Sequence, residues 1–452
     1  MKKPLLVFIA ALALDGAAGM HDIRDYGAVG NGTTLNTEAV QKAIDACSAD
    51  GGGTVMVAGG DYLIGTIFLK DNVTLHVAGG AKLLGSPDIG HYATNTHKNM
   101  YKNEPHMDRC LIFARGAKNI AVEGTGEIDG NGYFKNFTSE TGRPMLIRLM
   151  ECERIRMRDI TLKNPASWTT AWLYCSDIVV DGITIQSRAN NNGDGLDFDG
   201  CENVRVSNCA FDTSDDSICL QASRKDRPCR NIVISNCIFI SKWAGIRIGL
   251  LSLGDFENVA VNNCVFRDID DSGLKIQMCE GGSMINMVFS NLVMSNVPRP
   301  IFMTFCQQRC CVDTPEDELQ PMNEMKGFVF DGIQIDSSMC GKDSAIVITG
   351  MPDHPIKDIV MSDIQLKTGG GGTAEDAAIQ LNEFTPEVLE GWWPEYRRLG
   401  GTVPAHGIFA RHVDSLTLNN IRIETAKPDA RPALVFDDVA NLETNRIFST
   451  HR

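Results

Sequence analysis

The sequence predicts an all-β solenoid, a parallel β-helix of about ten coils preceded by a capping helix. Two observations lead to this fold: a phrase that recurs at nearly constant spacing, and the alternation of apolar and polar residues within it. Four clear copies read NVRVSNCAF from Asn203, NIVISNCIF from Asn231, NVAVNNCVF from Asn258 and NMVFSNLVM from Asn286. Alternation is strand periodicity, and a fixed repeat in this range is typical of stacked architectures.

Weaker copies extend the repeat over most of the chain. They begin at Asn119, Arg154, Asp177, Gly327, Asp358 and Ser415. A repeat of this length suits a β-helix better than a propeller, whose blades need about 40 residues or more. Stacked coils lie about 4.8 Å apart, so residues at the same position become neighbours. We therefore expect one ladder of asparagines, either inside the helix or along a turn: Asn208, Asn236, Asn263 and Asn291.

Helical spacing is found in the segment TEAVQKAIDACSADGGG, which precedes the repeats. Val40, Ile44 and Cys47 fall on one helical face, and the glycine run from Gly51 ends the helix. Because the open end of a solenoid exposes its core, we expect this helix to cap the first coil.

Residues 1–19 predict a secretory signal peptide. Lys2 and Lys3 precede an apolar run over 5–14, and small residues follow it. A buried strand or a membrane anchor agrees less well, because a membrane span needs about 20 apolar residues. The mature chain is therefore expected to be exported, to the periplasm or the extracellular space.

Residues 20–452 are predicted to form a single β-helix domain with an N-terminal cap and loop insertions near 306–326 and 369–407. Both insertions are polar and interrupt the repeat, so they are expected to project from one side. The second carries EGWWPEYRR, in which aromatic residues beside arginines suit a sugar acid. A plain loop anchor is the alternative.

Composition excludes several classes of protein. The 42 Lys and Arg residues against 57 Asp and Glu give a net charge of −15, so the broad basic surface of a nucleic-acid-binding protein is missing. The 15 cysteines are odd in number, which leaves at least one unpaired, and their places in the repeat favour core packing over disulfides. We expect no metal, no cofactor, no membrane span and a monomeric protein.

The candidate catalytic residues lie in the stretch NNNGDGLDFDGCENVRVSNCAFDTSDDSICL, which contains six aspartates. Asp215 follows Asp194 by 21 residues, close to one coil, so stacking brings the two carboxylates within reach of one glycosidic bond. Like charges that close raise a pKa, which leaves an acid and a base together near neutral pH. The alternative is that these aspartates cap turns or bind a structural cation.

The same stretch carries a resemblance to a known family. NGDGLD, which begins at Asn192, is similar to the NTDGID motif of glycoside hydrolase family 28, the polygalacturonase-like enzymes, and DDSICL from Asp215 resembles the family's DDCIAI. The phrases DYGAVGNGTTLNTEAVQKAIDAC and GGGTVMVAGGDYLIGTIFLKDNVTLHVAGGAKLLGS resemble the start of its pectin-degrading members. The resemblance runs over nearly the whole mature chain and implies a right-handed β-helix and an inverting hydrolase.

By this resemblance, Asp215 is the general acid, and Asp194 and Asp216 are the bases that hold and activate water. The family's RIK motif reads GLK here, so Lys275 keeps the cationic position and Gly273 replaces the arginine. Asn192 belongs to the first motif and joins Lys275 as a predicted substrate-binding residue.

Two departures indicate a changed specificity. The family's GHGLSIG motif reads WAGIRIG here, so Ala244 replaces its histidine. Arg247, two residues beyond Gly245, is a candidate for binding a substrate carboxylate. Smooth polygalacturonan is accordingly expected to be a poorer substrate than branched or oligomeric pectic material. The upstream phrase NPASWTTAWLYC resembles another family segment and supplies Trp168 for stacking on a sugar, whereas at least two of its three aromatic residues are expected to pack in the core or a turn.

The predicted function is therefore inverting hydrolysis of a pectic polysaccharide or oligosaccharide, exo-acting on galacturonate-containing linkages, as a galacturonidase or a rhamnogalacturonan hydrolase-like enzyme. Three alternatives stay open. A pectate-lyase-like enzyme needs bound calcium and a basic residue near the α-proton, and an epimerase changes a sugar's configuration without new reducing ends. A non-catalytic carbohydrate-binding solenoid loses nothing when Asp215 is replaced. Fold alone cannot separate them, because function resides in the site.

Overall fold

The computed structural model describes residues 19–315 and 318–451. Residues 1–18, which hold nearly all of the predicted signal peptide, lie outside the described residues. The described strands pair in parallel and wind into the predicted right-handed β-helix, in which each coil adds a strand to three sheets. No helix among the described residues is both long enough and apolar enough to cross a membrane.

Sheet 1 contains the repeat that the sequence revealed. Each of the ten copies begins in a different strand of this sheet, and the inward side chains of each copy are buried. In the described residues its strands are Gly19–Asp22, Gly53–Val57, Val73–Val77, Lys118–Glu123, Glu153–Arg158, Ser176–Asp181, Glu202–Ser207, Cys229–Ser235, Phe256–Asn262, Met284–Ser295, Met325–Asp336, Ile356–Thr368, Ile408–Thr425 and Leu434–His451. Four of these strands contain none of the ten copies: Gly19–Asp22, Gly53–Val57, Val73–Val77 and Leu434–His451. At the corners that follow the second and third of them, Gly59 and Gly80, which have positive φ, stand in place of the asparagine.

Sheets 2 and 3 complete the coil. The separate strands of sheet 2 are Asn31–Leu35, Asp61–Ile64, Lys82–Gly85, Glu127–Asp129, Thr161–Lys163, Thr184–Ser187, Ala210–Thr213, Ile238–Ser241 and Val265–Ile269; from Met284 onward the long strands run through sheets 1 and 2. Those of sheet 3 are Ile67–Phe68, Cys110–Arg115, Met145–Met150, Thr170–Leu173, Leu196–Asp199, Ile218–Ala222, Ala244–Ser252, Ser272–Met278, Arg299–Phe305 and Ile346–Thr349, and the last two long strands extend into it.

The corner between sheets 1 and 2 is where the predicted asparagine ladder lies. Asn208, Asn236, Asn263 and Asn291 all have left-handed backbone conformations, with φ between 53° and 58°, and all are exposed. The side-chain amide of Asn236 donates to Oδ1 of Asn208 at 3.4 Å. The ladder is therefore a turn ladder rather than an internal one, because asparagine tolerates the φ that the corner demands.

The capping helix spans Thr37–Ala49, as predicted, and buries Val40, Ala43, Ile44 and Cys47 against the first coils. The other described helices are one-turn segments: Ile23–Tyr26, Ile89–His91, Gly341–Asp343, Ala374–Ala377, Pro386–Leu389 and Tyr396–Leu399. The capping helix thus shields the apolar interior at the start of the solenoid.

Long connections are found at the two corners that flank sheet 3. They cover residues 86–109, 130–144, 306–324 and 369–407, and the last two correspond to the predicted insertions. Buried Glu280, on the outer side of sheet 3, holds the third connection, since its Oε1 accepts hydrogen bonds from the backbone N–H groups of Cys310 and Cys311 at 2.7 and 2.8 Å. The connections therefore pack over the outer face of sheet 3 and form a site there.

Candidate active site

The outer face of sheet 3 carries polar side chains that the register places in one row. Asp197 pairs with Cys219, Cys219 with Arg247, and Arg247 with Lys275 on successive strands. Their neighbours in sequence, such as Ile246 and Ile248, point into the core. Strand alternation thus aims chemically active side chains outward while each strand still buries its apolar residues.

The three predicted catalytic aspartates lie at the corner that enters sheet 3. Asp194 precedes the strand Leu196–Asp199 by two residues, and Asp216 precedes Ile218–Ala222 by two residues. One oxygen from each of Asp194, Asp215 and Asp216 lies within 4.8 Å of the other two. The coil stack therefore brings together carboxylates that come from two consecutive turns.

The trio retains at least one proton near neutral pH. Burial, followed by the charge of Asp216, raises the pKa of Asp215 to about 8, although nearby Arg247 opposes the rise. Burial and then the charge of Asp215 hold the pKa of Asp194 well above its usual range. The pKa of Asp216 is also raised by burial, while Arg247 and Lys275 counteract this effect. The cluster therefore offers an acid that keeps its proton at pH 7 beside a carboxylate whose ionised form is stabilised by cations.

Two fully buried oxygens of the trio have no hydrogen-bond partner in the described residues: Oδ1 of Asp194 and Oδ1 of Asp216. Buried carboxylate oxygens of this kind require a partner. A gap of 4.8 Å can be bridged by one water molecule that donates a hydrogen bond of about 2.8 Å to each of two carboxylates. The same three oxygens could hold a metal ion, so the arrangement suits either an activated water or a cation.

Arg247 lies beside Asp216, where it is 6% exposed. Its Nη1 donates to Oδ2 of Asp216 at 2.9 Å, and its Nη2 donates to Oε1 of Glu395 at 2.9 Å. Nε and Nη2 also donate to Oε1 of Gln277 at 3.2 and 3.0 Å. The guanidinium that the sequence assigned to a substrate carboxylate is therefore engaged by two carboxylates of the protein itself.

Lys275 is fully buried, with 0% exposure, and does not line the pocket. Its Nζ donates to Oδ2 of Asp271 at 2.9 Å and to Oε2 of Glu395, and it lies 4.5 Å from the ring centroid of Trp243. Lys275 therefore contacts Glu395 and Trp243, which lie between it and the site, and it does not reach the pocket that would bind a sugar.

Asn192 and Trp168 both line the pocket. Oδ1 of Asn192 accepts a hydrogen bond from Nη2 of Arg143 at 2.7 Å, and its Nδ2 donates to Oε1 of Glu104 at 3.2 Å. Trp168 contacts Tyr101 edge to face at 5.8 Å between centroids. The other two aromatic residues of that segment pack elsewhere: Trp172 in the core, and Tyr174 against Ser223 through its hydroxyl at 2.8 Å.

A pocket with a cavity volume of about 210 Å³ lies above the aspartates. Besides predicted residues, its lining includes residues that sequence reasoning did not assign to the site: Tyr101, Glu104, Cys219, Gln221, Trp243 and Trp393. Burial, above all, raises the pKa of Glu104 to about 7. An adjoining pocket is lined by Glu104, Arg143, Asn192 and Trp393, among others.

Loop residues account for most of what the sequence missed. The EGWWPEYRR segment gave one signal, and Trp393 does line the pocket, while Arg398 forms an ion pair with Glu390 on the surface. No pattern in the sequence pointed to Glu395 of the same segment, which is 4% exposed and forms ion pairs with both Arg247 and Lys275. Loop positions follow no period, so their meeting point cannot be derived from spacing.

Comparisons with known proteins identify the family to which the chain is similar. The model of the family described as Glycosyl hydrolases family 28 matches residues 47–385. An exo-poly-alpha-D-galacturonosidase of Dickeya chrysanthemi is 29% identical over an alignment of 337 residues that covers 62% of this chain and 55% of that protein. A probable polygalacturonase of Vitis vinifera is 28% identical, over 67% of this chain and 66% of that protein. The chain thus spans little more than half the length of the first relative.

Among solved structures, a hyperthermoactive exopolygalacturonase from Thermotoga maritima superposes with a TM-score of 0.69. The match covers 90% of this chain and 92% of that one at 19% sequence identity. Identity this low supports the shared fold and leaves the chemistry to be argued from the site.

Proposed function

The chain belongs to glycosyl hydrolase family 28, and on that premise we propose that it is an inverting glycoside hydrolase that acts on galacturonate-containing linkages of a pectic polysaccharide or oligosaccharide. The observation that carries the proposal is the trio Asp194, Asp215 and Asp216, whose oxygens lie within 4.8 Å of one another beneath a pocket. A protonated and an ionised carboxylate beside one glycosidic bond are what hydrolysis requires.

In the proposed reaction Asp215 donates its proton to the glycosidic oxygen as the bond from that oxygen to the anomeric carbon breaks. Asp194 and Asp216 hold a water molecule, which attacks the anomeric carbon from the opposite face and gives up a proton to one of them. One glycosidic bond and one water O–H bond break, and a hemiacetal and a free alcohol form. The reaction regenerates the enzyme after one proton moves back through solvent.

Arg247 suits the base side of this mechanism. Its Nη1 lies 2.9 Å from Oδ2 of Asp216, and its charge counteracts the rise that burial causes in the pKa of Asp216. It also counteracts the rise in the pKa of Asp215, where burial and the charge of Asp216 prevail. The two adjacent aspartates are thus biased toward different protonation states, which separates the acid from the base.

Exo action is supported by the way the connections meet over the pocket. The rings of Tyr101, from the connection 86–109, and Trp393, from the connection 369–407, lie 5.7 Å apart between centroids. Both rings line the pocket, so the two connections join along one side of it. An open groove for the middle of a polymer would need that side free. The name of the Dickeya relative, an exo-poly-alpha-D-galacturonosidase, agrees with this proposal.

Parallel incubations of separate pectic fractions with and without a chelator test the proposed activity. We expect new reducing ends, no unsaturated uronate absorbing in the ultraviolet, and oligomeric or branched fractions cleaved faster than smooth polygalacturonan. Ultraviolet absorbance that the chelator abolishes would identify a calcium-dependent lyase instead. A changed sugar configuration without new reducing ends would identify an epimerase, and binding without any product would identify a carbohydrate-binding module.

We also propose that the mature protein, residues 20–452, is one domain that works outside the cytoplasm as a monomer. The lysines and apolar run at the start of the sequence support export. Mass spectrometry of the protein recovered from the periplasm or medium tests it: a chain that begins at residue 20 is expected. A full-length chain retained in the cytoplasm would contradict the proposal.

A further inference from the structure

The cationic centre beside the aspartates is occupied by a side chain of the protein. Glu395 lies between Arg247 and Lys275: its Oε1 accepts from Nη2 of Arg247 at 2.9 Å and its Oε2 accepts from Nζ of Lys275. Its exposure is 4%, and that of the two cations is 6% and 0%. A carboxylate thus already fills the place where these cations would receive an anionic ligand.

The two cations have further anionic partners. Arg247 also binds Asp216 at 2.9 Å, and Lys275 also binds Asp271 at 2.9 Å. Asp271 in turn binds Arg299 at 2.8 Å. Three cations therefore face three carboxylates in one buried network, so its positive charge is balanced without a ligand.

Contacts on both sides of Glu395 fix it in this position. The preceding carbonyl oxygen, of Pro394, accepts a hydrogen bond from Nε2 of Gln277 at 2.9 Å. The following residue, Tyr396, packs its ring against the guanidinium of Arg299 at 4.8 Å and against Phe302. A substrate that displaced Glu395 would have to break these contacts and separate its carboxylate from both cations, which is unfavourable for a buried ion pair.

Eight of the twelve residues that line the pocket are acidic or aromatic, and the others are Asn192, Cys219, Gln221 and Arg247. Glu104 and the three aspartates supply carboxyl groups, and four rings supply apolar surface: Tyr101, Trp168, Trp243 and Trp393. Among the described residues that line this pocket, Arg247 is the one cation, and it already forms ion pairs with Asp216 and Glu395. A further carboxylate here would find no cation without a carboxylate partner in the described lining, whereas an uncharged sugar face can stack on the rings.

We propose that the sugar unit bound in this pocket carries no negative charge, either as a neutral sugar or as a methyl-esterified galacturonate, and that Glu395 determines this specificity. The inference rests on the proposed hydrolase function and narrows its substrate. Glu395 acts by occupying and neutralising Arg247 and Lys275.

A charged neighbouring unit of the same substrate has a different place to bind. The adjoining pocket is lined by Arg143, whose Nη2 donates to Asn192 and contacts His106 at 2.9 Å, and which forms no salt bridge with a carboxylate in the described residues. Arg143 is 5% exposed and its Nη1 donates to the carbonyl oxygen of Asn191 at 2.9 Å, so it would act through its positive charge, which favours a galacturonate one unit away from the uncharged sugar.

The test compares substrates that differ only in charge: an oligogalacturonide of fixed length as the free acid and as its full methyl ester. We expect wild-type kcat/KM to favour the ester by at least about tenfold. An oligosaccharide that alternates galacturonate with a neutral sugar is a third substrate, and its rate relative to the ester distinguishes the two uncharged ligands. A wild-type preference for the free acid would overturn the inference, and this comparison needs no variant.

Variants then assign the preference to Glu395. In Glu395→Gln the preference is expected to shift toward the free acid by at least about tenfold. The network of Arg247, Lys275 and Arg299 then has one positive charge that no carboxylate balances. Glu390→Gln is the matched control, since Glu390 lies in the same connection and pairs with Arg398 at the surface; its preference is expected to equal that of wild type. In Glu395→Ala, added acetate is expected to restore the preference for the ester, an effect that a merely structural role would not produce.

The outcomes separate this inference from the proposed function. Absence of hydrolysis of all three substrates by the wild-type protein defeats the hydrolase proposal itself. Hydrolysis with an unchanged charge preference in a folded Glu395→Gln variant defeats the assignment to Glu395 alone. If circular dichroism shows that Glu395→Gln is unfolded, Glu395→Asp is tested with the same substrates instead. Its shorter side chain cannot span both cations, so the preference is expected to shift toward the free acid. An unchanged preference in the folded Glu395→Asp variant would defeat the assignment to Glu395.

Discussion

Asp194 and Asp216 occupy equivalent positions on consecutive coils, because the N–H of Gly195 donates to the carbonyl oxygen of Asp216 at 2.9 Å. The strands that follow them are in the same register, with Leu196 paired to Ile218. The spacing in the sequence had suggested Asp194 and Asp215 as the stacked pair. Asp215 instead lies one residue before the stacked position, at the bend, where it accepts a hydrogen bond from the N–H of Asp216 at 3.0 Å.

Replacement of the proposed acid should abolish most activity. We expect Asp215→Asn to lower kcat by at least about a hundredfold, because an amide cannot donate the proton that the leaving oxygen requires. Asp212→Asn is the control: Asp212 lies in the same stretch but pairs with Arg188 away from the pocket. Reducing-end assays and circular dichroism measure the two effects. Turnover equal to wild type in Asp215→Asn would remove this residue from the mechanism.

Activity should decline in alkaline solution. The pKa of Asp215 is about 8, so its proton is present below that pH and is lost above it; kcat/KM is expected to fall as pH rises through about 8. The charge of Glu104 helps to raise this pKa, so Glu104→Gln should move the alkaline limb to lower pH, by less than about one unit. Glu123→Gln, on sheet 1, should leave it in place. Identical pH profiles for wild type and Glu104→Gln would contradict the assignment.

The first product should have the inverted anomeric configuration. The carboxylate oxygens lie within 4.8 Å of one another, closer than the roughly 6.5–9.5 Å between the two carboxyl groups of many inverting enzymes. Inversion is nevertheless expected, because two carboxylates are available to hold the water and neither is needed as a nucleophile. Proton NMR of the product before it mutarotates decides the question, and a product with the substrate's own configuration would indicate a covalent intermediate.

The turn ladder should respond to backbone conformation. Asn236 has φ 57°, where a residue with a Cβ pays about 1–2 kcal/mol unless its side chain compensates locally. We expect Asn236→Ala to lower the free energy of unfolding by about 1 kcal/mol and Asn236→Gly to lower it less, since glycine tolerates positive φ. Urea melts of both variants measure this. Equal losses would mean that the hydrogen bond to Asn208, and not the backbone, sets the stability.

Periodic features were predictable from the sequence, and features set by loops were not. The ten copies predicted ten of the fourteen described strands of sheet 1, and the spacing of Asp194 and Asp215 brought the acidic residues to one corner, because a coil of constant length converts distance along the chain into distance in space. Glu395 lies more than a hundred residues beyond the aspartates in a connection without a repeat. Its ion pairs with Arg247 and Lys275 depend on how that connection folds back over sheet 3.

The burial of Lys275 shows a second limit of the sequence. Motif similarity placed a cation at the right position in the outer row of sheet 3, and the register agrees. It did not reveal that Asp271 and Glu395 would enclose the ammonium group. Whether a side chain is available to a ligand depends on what packs over it, which a motif does not encode.

The corners of the coil differ in how much change they tolerate. Between sheets 1 and 2 the ladder residues hold a tight left-handed bend on successive coils, whereas the corners beside sheet 3 carry connections of very different length. Segments such as 369–407 can therefore be lengthened, shortened or exchanged while the stacked coils keep their register. For protein engineering, this makes the molecule a scaffold in which a new substrate preference can be installed by grafting surface segments and leaving the interior unaltered.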